Sequence, residues 1–258
     1  MADISASQVA ALRARTGVSI LQCKEALTQA GGDEEKAIEF LRKSGAAQAV
    51  KKSAREQKEG AIFLARTDGK ASMLELNCET DFVARNQEFQ EFGQGLADLL
   101  LAKGDKALTA HAQEVMPATV QKLGENISLG TTHTVEGAVL GCYVHGNRKI
   151  GVIIALEGGD EEKAKDAAMH AAAMAPLYRT PDEVPPEAVE KEKEIWREQL
   201  KKESKPEAIW DKIMMGKEKK FREENALVTQ PFAKDPSMTV QQYLGDAQVS
   251  QYIRMAVS

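Results

Sequence analysis

The sequence predicts an α+β protein: a three-helix module at the N-terminus, a core of two duplicated α+β subdomains, and an antiparallel helical hairpin inserted in the second. Three observations carry this. Cap signals and helical periodicity fill the first 45 residues; two β-rich pairs open on Glu59-Gly-Ala-Ile62 and Glu136-Gly-Ala-Val139, an offset of 77; and a charged stretch bounded by prolines interrupts the chain after the second pair. The boundaries are 1–45 for the module, 46–58 for a linker, 59–135 for the first core subdomain, 136–180 with 226–258 for the second, and 181–225 for the hairpin.

In the module, Ser5-x-x-Gln8 and Ser19-x-x-Gln22 have capping-box spacing, in which hydroxyl and amide each satisfy a free backbone N–H at a helix start. Thr16-Gly17 separates the first two helices. The second carries Ile20, Cys23, Leu27 and Ala30 on one stripe and stops at Gly31-Gly32; the third opens on Asp33-Glu34-Glu35, ahead of Ile38 and Leu41. A unit this short buries a small core, which suits recognition better than complex chemistry. Residues 46–58 are rich in Ala and charge without a sustained apolar stripe, and read as a mobile or partly helical linker.

In the core, Asp68-Gly69-Lys70 aligns with His145-Gly146-Asn147, each between β-rich runs: 61–65 with 73–78, and 138–144 with 150–156. A helical pattern follows each hairpin, through Phe89, Phe92, Leu96 and Leu99 or Leu100 in the first, and through Ala164, Ala167, Ala171 and Met174 in the second. Duplication of a β-β-α unit is the economical reading; chance likeness of two ordinary hairpins is the competing one. Beyond Thr180-Pro-Asp-Glu-Val-Pro-Pro186, the stretch from Glu187 to Glu203 has apolar residues only at Val189, Ile195, Trp196 and Leu200. Ser204-Lys-Pro206 supplies a turn, and Ile209, Trp210, Ile213 and Met214 begin a second helix that ends near Asn225, with the two Trp expected to pack across the seam. A solvated surface hairpin is the plainer reading, and a partner-binding or dimerising arm the sharper one. Residues 226–258, with a short helix at 240–244, are expected to complete the second subdomain's sheet.

Composition narrows the function. Lys and Arg number 34 against 39 Asp and Glu, a net charge of −5, the wrong sign for tracking a phosphate backbone, and 5% aromatic residues supply few stacking platforms. Direct nucleic-acid binding is therefore not expected. Three widely spaced cysteines, Cys23, Cys78 and Cys142, fit free thiols in a reducing cytoplasm. Met1-Ala-Asp-Ile-Ser5 does not resemble a secretion signal, and apolar runs such as Gly151–Leu156 fall far short of the ~20 residues of a membrane span. The common phosphate-loop, nucleophile-elbow and zinc-protease signatures are missing, so no catalytic residue, cofactor or metal is assigned. Cys142-x-x-His145 has metal-like spacing, but its other ligands would have to come from scattered residues such as Cys78, His133 or His170. A chaperone-like or scaffolding protein that binds through the three-helix module and the helical arm, and a metal-dependent enzyme with Cys142 and His145 as ligands, are two readings from other classes.

The most unusual stretch is Asn77-Cys-Glu-Thr-Asp-Phe-Val-Ala-Arg-Asn86, between a strand and a helix. Thr80 or Asp81 suits a helix cap with Phe82 and Val83 filling the core beneath it. Alternatively, the turn presents Asp81 and Phe82 outward, an acidic group beside an aromatic anchor.

Thr80-Asp-Phe-Val83 in this setting, with Leu12-Arg-x-x-Thr16-Gly17, Cys23-Lys24-x-Ala26-Leu27, Gly124-Glu-Asn-Ile127, Tyr143-x-His145-Gly146, Met169-His170-x-Ala172 and Gln230-Pro-Phe232, closely resembles the bacterial elongation factor Ts family, in order and over nearly the whole chain. The resemblance implies a ubiquitin-associated-like three-helix domain, a duplicated core and a coiled-coil insertion. It also implies a guanine-nucleotide exchange factor for elongation factor Tu, which binds no nucleotide itself. On this resemblance Asp81 and Phe82 enter the partner's GTPase domain, and Thr80–Val83 helps dislodge its Mg²⁺. Lys24, Leu123, Gly124 and His145 match further contacts, although Lys24 also reads as a solvated lysine and His145 as a turn residue. Asn147-Arg148-Lys149 is a residue longer than the family's spacing, which puts the aim of His145 in question, and the end at Ser258 lacks the extra C-terminal helix of longer members. A homodimer or a 2:2 complex through core or hairpin stays open.

Overall fold

Three helices begin the chain in the computed structural model, which describes residues 4–203 and 206–257. They are α1 (Ala6–Thr16), α2 (Ile20–Gln29) and α3 (Glu34–Lys52). Ser5 forms the full reciprocal capping box with Gln8, whereas Gln22 turns its amide across to Gln48 of α3 at 3.3 Å. Asp33 caps α3, and Arg15 pairs with Glu34 and Glu35 at its first turn. The buried stripe of α2 is Cys23, Ala26 and Leu27, packed against Val9, Leu12, Ala37 and Leu41. Ile20 departs from the expected stripe: it is 59% exposed, beside Leu21 at 66%, because the buried face begins one turn later.

The boundary expected at residue 45 is overtaken by α3, which runs unbroken to Lys52. Its Ala-rich, proline-free extension favours helix and lies on a neighbour, α5 (Gln87–Leu123), where Gln121 Nε2 donates to Ser44 Oγ at 3.2 Å. Gly45 allows that crossing, since a Cβ there would stand 2.7 Å from Gln121 Oε1. The remaining connection is held as well: Asn126 Nδ2 donates to the Arg55 carbonyl at 2.9 Å and Ser128 Oγ to Gln57 Oε1 at 2.7 Å.

The core continues in chain order. β1 (Glu59–Thr67) and β2 (Lys70–Cys78) form a hairpin; α4 (Asp81–Ala84) and α5 come next, the latter broken at Gly104 in the left-handed region; β3 (Ser128–Glu136) returns antiparallel to β2. The second unit has the hairpin β4 (Val139–Val144) and β5 (Ile150–Glu157), then α6 (Glu161–Met174). The helical hairpin of α7 (Pro186–Lys202) and α8 (Trp210–Asn225) intervenes. A small ribbon of β6 (Pro231–Phe232) and β7 (Asp235–Thr239), the short α9 (Val240–Leu244), and β8 (Gln248–Ala256) antiparallel to β5 finish it. The sheets are thus ordered β1-β2-β3 and β4-β5-β8.

The two sheets pack face to face through Ile62, Ala71, Met73 and Val135 from one and Leu140, Ile153, Ala155 and Met255 from the other. Their outer faces carry helices: Phe63, Leu74 and Leu76 against Phe89, Leu96 and Leu100 of α5, and Val152, Ile154 and Leu156 against the alanine stripe of α6. The layers run helix, sheet, sheet, helix. Alternation along each strand serves both interfaces.

The offset of 77 does not survive as a register. Ile62 faces the other sheet, whereas Val139 packs on the α6 side and Leu140 takes the inward place; a one-residue slip exchanges the faces of a strand. Glu136 ends β3 rather than starting β4. The turns differ too, since Thr67 pairs with Lys70 but Val144 pairs with Gly151, leaving two residues in one turn and six in the other.

Within the helical hairpin, Trp196 is 8% exposed and meets Phe221 of α8 edge-on at 5.9 Å across the seam. Lys193 bonds Glu218 at 2.9 Å, and Arg222 donates to the Val184 carbonyl at 3.0 Å at the base. The turn expected at 204–206 lies, apart from Pro206, outside the described residues.

Close approach limits substitution at two glycines. A Cβ on Gly151 would stand 2.5 Å from Met73 Sδ and 2.6 Å from Ile62 Cγ2, whereas on Gly141 it would meet the Ala164 carbonyl oxygen of α6 at 2.0 Å. Gly151→Ala is expected to destabilise by about 1–3 kcal/mol and Gly141→Ala by more, because side chains yield more readily than a helix backbone. Urea unfolding with the reverse order would contradict this packing. His170 is buried; Ala233 N–H donates to its Nδ1 at 3.1 Å and its Nε2–H reaches Gln230 Oε1 at 3.0 Å. Burial pushes its pKa below the ordinary 6.5, partly countered by Gln230. Between the folded and unfolded values the unfolded chain binds more protons, so stability falls as pH drops below 6.5. The slope of urea midpoint against pH there should flatten in His170→Gln; an unchanged slope would assign the effect to other groups.

Candidate partner-binding site

At the end of β2 the chain turns sharply into the four-residue α4. Thr80 is its N-cap, accepting from Val83 N–H at 3.4 Å, and the same residue's carbonyl takes the Cys78 thiol at 3.2 Å. Burial, with the charge of Glu125 adding to it, pushes that thiol up to about 12, so Cys78 stays protonated and serves as a donor. The two local readings of this turn divide between its residues. Val83 packs on the α5 core, as a capped helix over a core requires, but Phe82 is 83% exposed. Leaving a Phe in water forgoes about 1.5–3 kcal/mol of burial. Asp81 stands beside it, paired with Arg85 at 3.1 Å.

A second turn grips the first. Gly124 ends α5 with a φ of 81°, and Glu125 follows. Its Oε2 accepts from the Glu79 and Thr80 backbone N–H groups, each at 3.0 Å, and Oε1 from Thr80 Oγ1 at 2.5 Å. In return Glu79 Oε1 accepts from Asn126 N–H at 2.7 Å. Leu123 is half-buried against the α5 core, and with Thr16, Phe92 and Lys122 it lines a smaller cleft beside the three-helix module.

The β4–β5 turn arrives from the other subdomain. Arg148 adopts a φ of 56°, gives its carbonyl to Ile62 N–H at 2.7 Å, and lays its guanidinium 5.3 Å from the Phe63 ring centre. Lys149 pairs with Glu59. His145 is exposed at the tip, its Nδ1 3.1 Å from Tyr143 Oη. Between this turn and α4 opens a cleft of about 600 Å³, lined by Asp81, Arg85, Gln90, Glu59 and Gly146–Lys149.

Tertiary structure therefore brings Thr80–Val83 beside Gly124 through Glu125, and beside the His145 turn across the cleft. Lys24 is exposed on α2 and lines neither cleft. Glu125, Glu79 and Arg148 escaped sequence reasoning: carboxylates in turns are common, and only the fold shows which backbone N–H groups they receive. No group of three or more His, Cys, Asp or Glu side chains among the described residues is placed to hold a metal ion; Cys142 lies on the face between the sheets while His145 points from the tip, and His170 is engaged in the second core. No helix among the described residues is long and apolar enough to cross a membrane.

Residues 79–258 match the sequence family described as Elongation factor TS. The chain is 44% identical to elongation factor Ts of Francisella tularensis subsp. novicida over 269 aligned positions, covering all of this chain and 93% of that protein. It is 45% identical to elongation factor Ts of Deinococcus radiodurans over 255 positions, covering 95% of this chain and 97% of the relative. With the exposed Asp81-Phe82 turn carried on an α+β core of two packed sheets, these likenesses place the chain in the elongation factor Ts family of translation elongation factors.

Proposed function

We propose that this chain is a guanine-nucleotide exchange factor that binds GDP-bound elongation factor Tu in the cytoplasm and speeds GDP release, working by non-covalent binding rather than covalent catalysis. The observation that carries the reading is Phe82, a large apolar side chain held almost fully in solvent on a braced turn. Such a group has no packing role in the free chain, and fits an anchor that enters a partner's pocket. Asp81 brings a carboxylate alongside.

In this mechanism Phe82 wedges into the partner's GTPase domain while Thr80–Val83 disturbs its Mg²⁺ site. A Mg²⁺ bridging phosphate oxygens offsets their mutual repulsion, so displacing it removes a large local charge and loosens GDP. Each ~1.4 kcal/mol lost is a factor of ten in affinity. Leu123, Gly124 and His145 supply further contacts around the wedge, and Lys24 a separate one from α2. Linkage then makes incoming nucleotide weaken the exchange factor's grip by the same factor, so the factor is released and reused.

Release of fluorescent GDP from elongation factor Tu should accelerate when this protein is added, and no acceleration would remove the function. Phe82→Ala should lose at least about ten-fold of that acceleration, a factor worth ~1.4 kcal/mol, while its thermal unfolding stays within a degree or two of the parent because Phe82 buries little. An active Phe82→Ala protein would leave exchange standing and remove the wedge.

A further inference from the structure

We propose that Glu125 is the positioning residue that sets the aim of Asp81 and Phe82, an inference that rests on reading Thr80–Val83 as the exchange loop. A helix of four residues has no cooperative stability of its own, so the direction of α4 is decided by the groups that hold its first turn. Chief among them is one carboxylate. Glu125 receives Glu79 N–H, Thr80 N–H and Thr80 Oγ1–H together, and Thr80 in turn caps α4 at Val83. All three donors belong to the loop, and charge-assisted hydrogen bonds of this kind are the stronger ones.

The clasp is reciprocal and its far side is fixed. Glu79 accepts from Asn126 N–H, and Asn126 is itself buried with its amide on the Arg55 carbonyl. Gly124 terminates α5 immediately before Glu125, so the carboxylate projects from the end of the α5 segment that follows the break at Gly104 and joins the first core through Leu108 and Val120. Glu125 thereby transmits the position of α5 to the turn. It lies outside the 600 Å³ cleft and acts through Thr80 rather than on a partner.

Stopped-flow release of fluorescent GDP, titrated with this protein, separates the maximal rate from the half-saturating concentration. Glu125→Ala should lower the maximal rate about ten-fold while moving half-saturation by less than about two-fold, since the rest of the binding surface is retained. Glu125→Gln keeps an oxygen for the two backbone N–H groups and should recover most of the rate. In a Phe82→Ala background, Glu125→Ala should add little, because the wedge it aims is gone. A full-rate Glu125→Ala protein beside a slow Phe82→Ala protein would overturn the positioning role and leave the exchange loop standing; a full-rate Phe82→Ala protein would remove the underlying reading. Equal losses from Glu125→Ala with and without Phe82 would also overturn the proposal. Should Glu125→Ala fail to fold, Glu125→Asp decides in its place, since it keeps the charge but withdraws the carboxylate by one methylene from the Glu79 and Thr80 donors: a lower maximal rate at unchanged half-saturation supports the clasp, and an unchanged rate refutes it.

Discussion

Ile62, Met73, Ile153 and Met255 meet between the two sheets with so little space that Gly151 has no room for a methyl group, and most of the molecule is arranged around that contact. Once the inner faces are committed to each other, the outer faces must be covered by helices, which is why α5 and α6 lie on opposite sides. The alanines of α6 let it approach until Gly141 nearly touches its backbone, and Gly93 of α5 gives way similarly to the Phe63 ring. Helix seats and sheet contact are therefore one packing problem.

The same contact builds the cleft. Stacked sheets bring the β4–β5 turn to the open edge of β1, where the Arg148 carbonyl satisfies Ile62 N–H, and its guanidinium lies against Phe63. The α4 turn reaches the cleft from the opposite direction, at the end of β2. Neither turn is held by hydrophobic burial alone: one uses a backbone bond across the domain, the other a carboxylate clasp. Polar bonds fix direction where a four-residue helix and an exposed tip have too little apolar surface to do so.

Much of this was legible in the chain. The strands at 61–65, 73–78, 138–144 and 150–156 and the helices at their ends arise from alternation, cap residues and turn glycines, all local properties. The strand β3 left a weak signal because only Val135 is buried along it. The helical run of α3 past residue 45 looked like a linker because its partner, α5, lies some 70 residues away. The exposed Phe82 and half-buried Val83 were not separable, since either order gives the same composition at a helix start.

By itself the sequence determined the α+β class, the two β-hairpins each followed by a helix, the charged helical hairpin and the family resemblance, because each is written in residue types over short distances. Tertiary structure decided the faces of the strands, the true turn lengths, the meeting of the His145 turn with Asp81 across the cleft, and the grip of Glu125 on Thr80. Those depend on which surfaces remain after two sheets have packed, and on backbone donors that every residue carries alike.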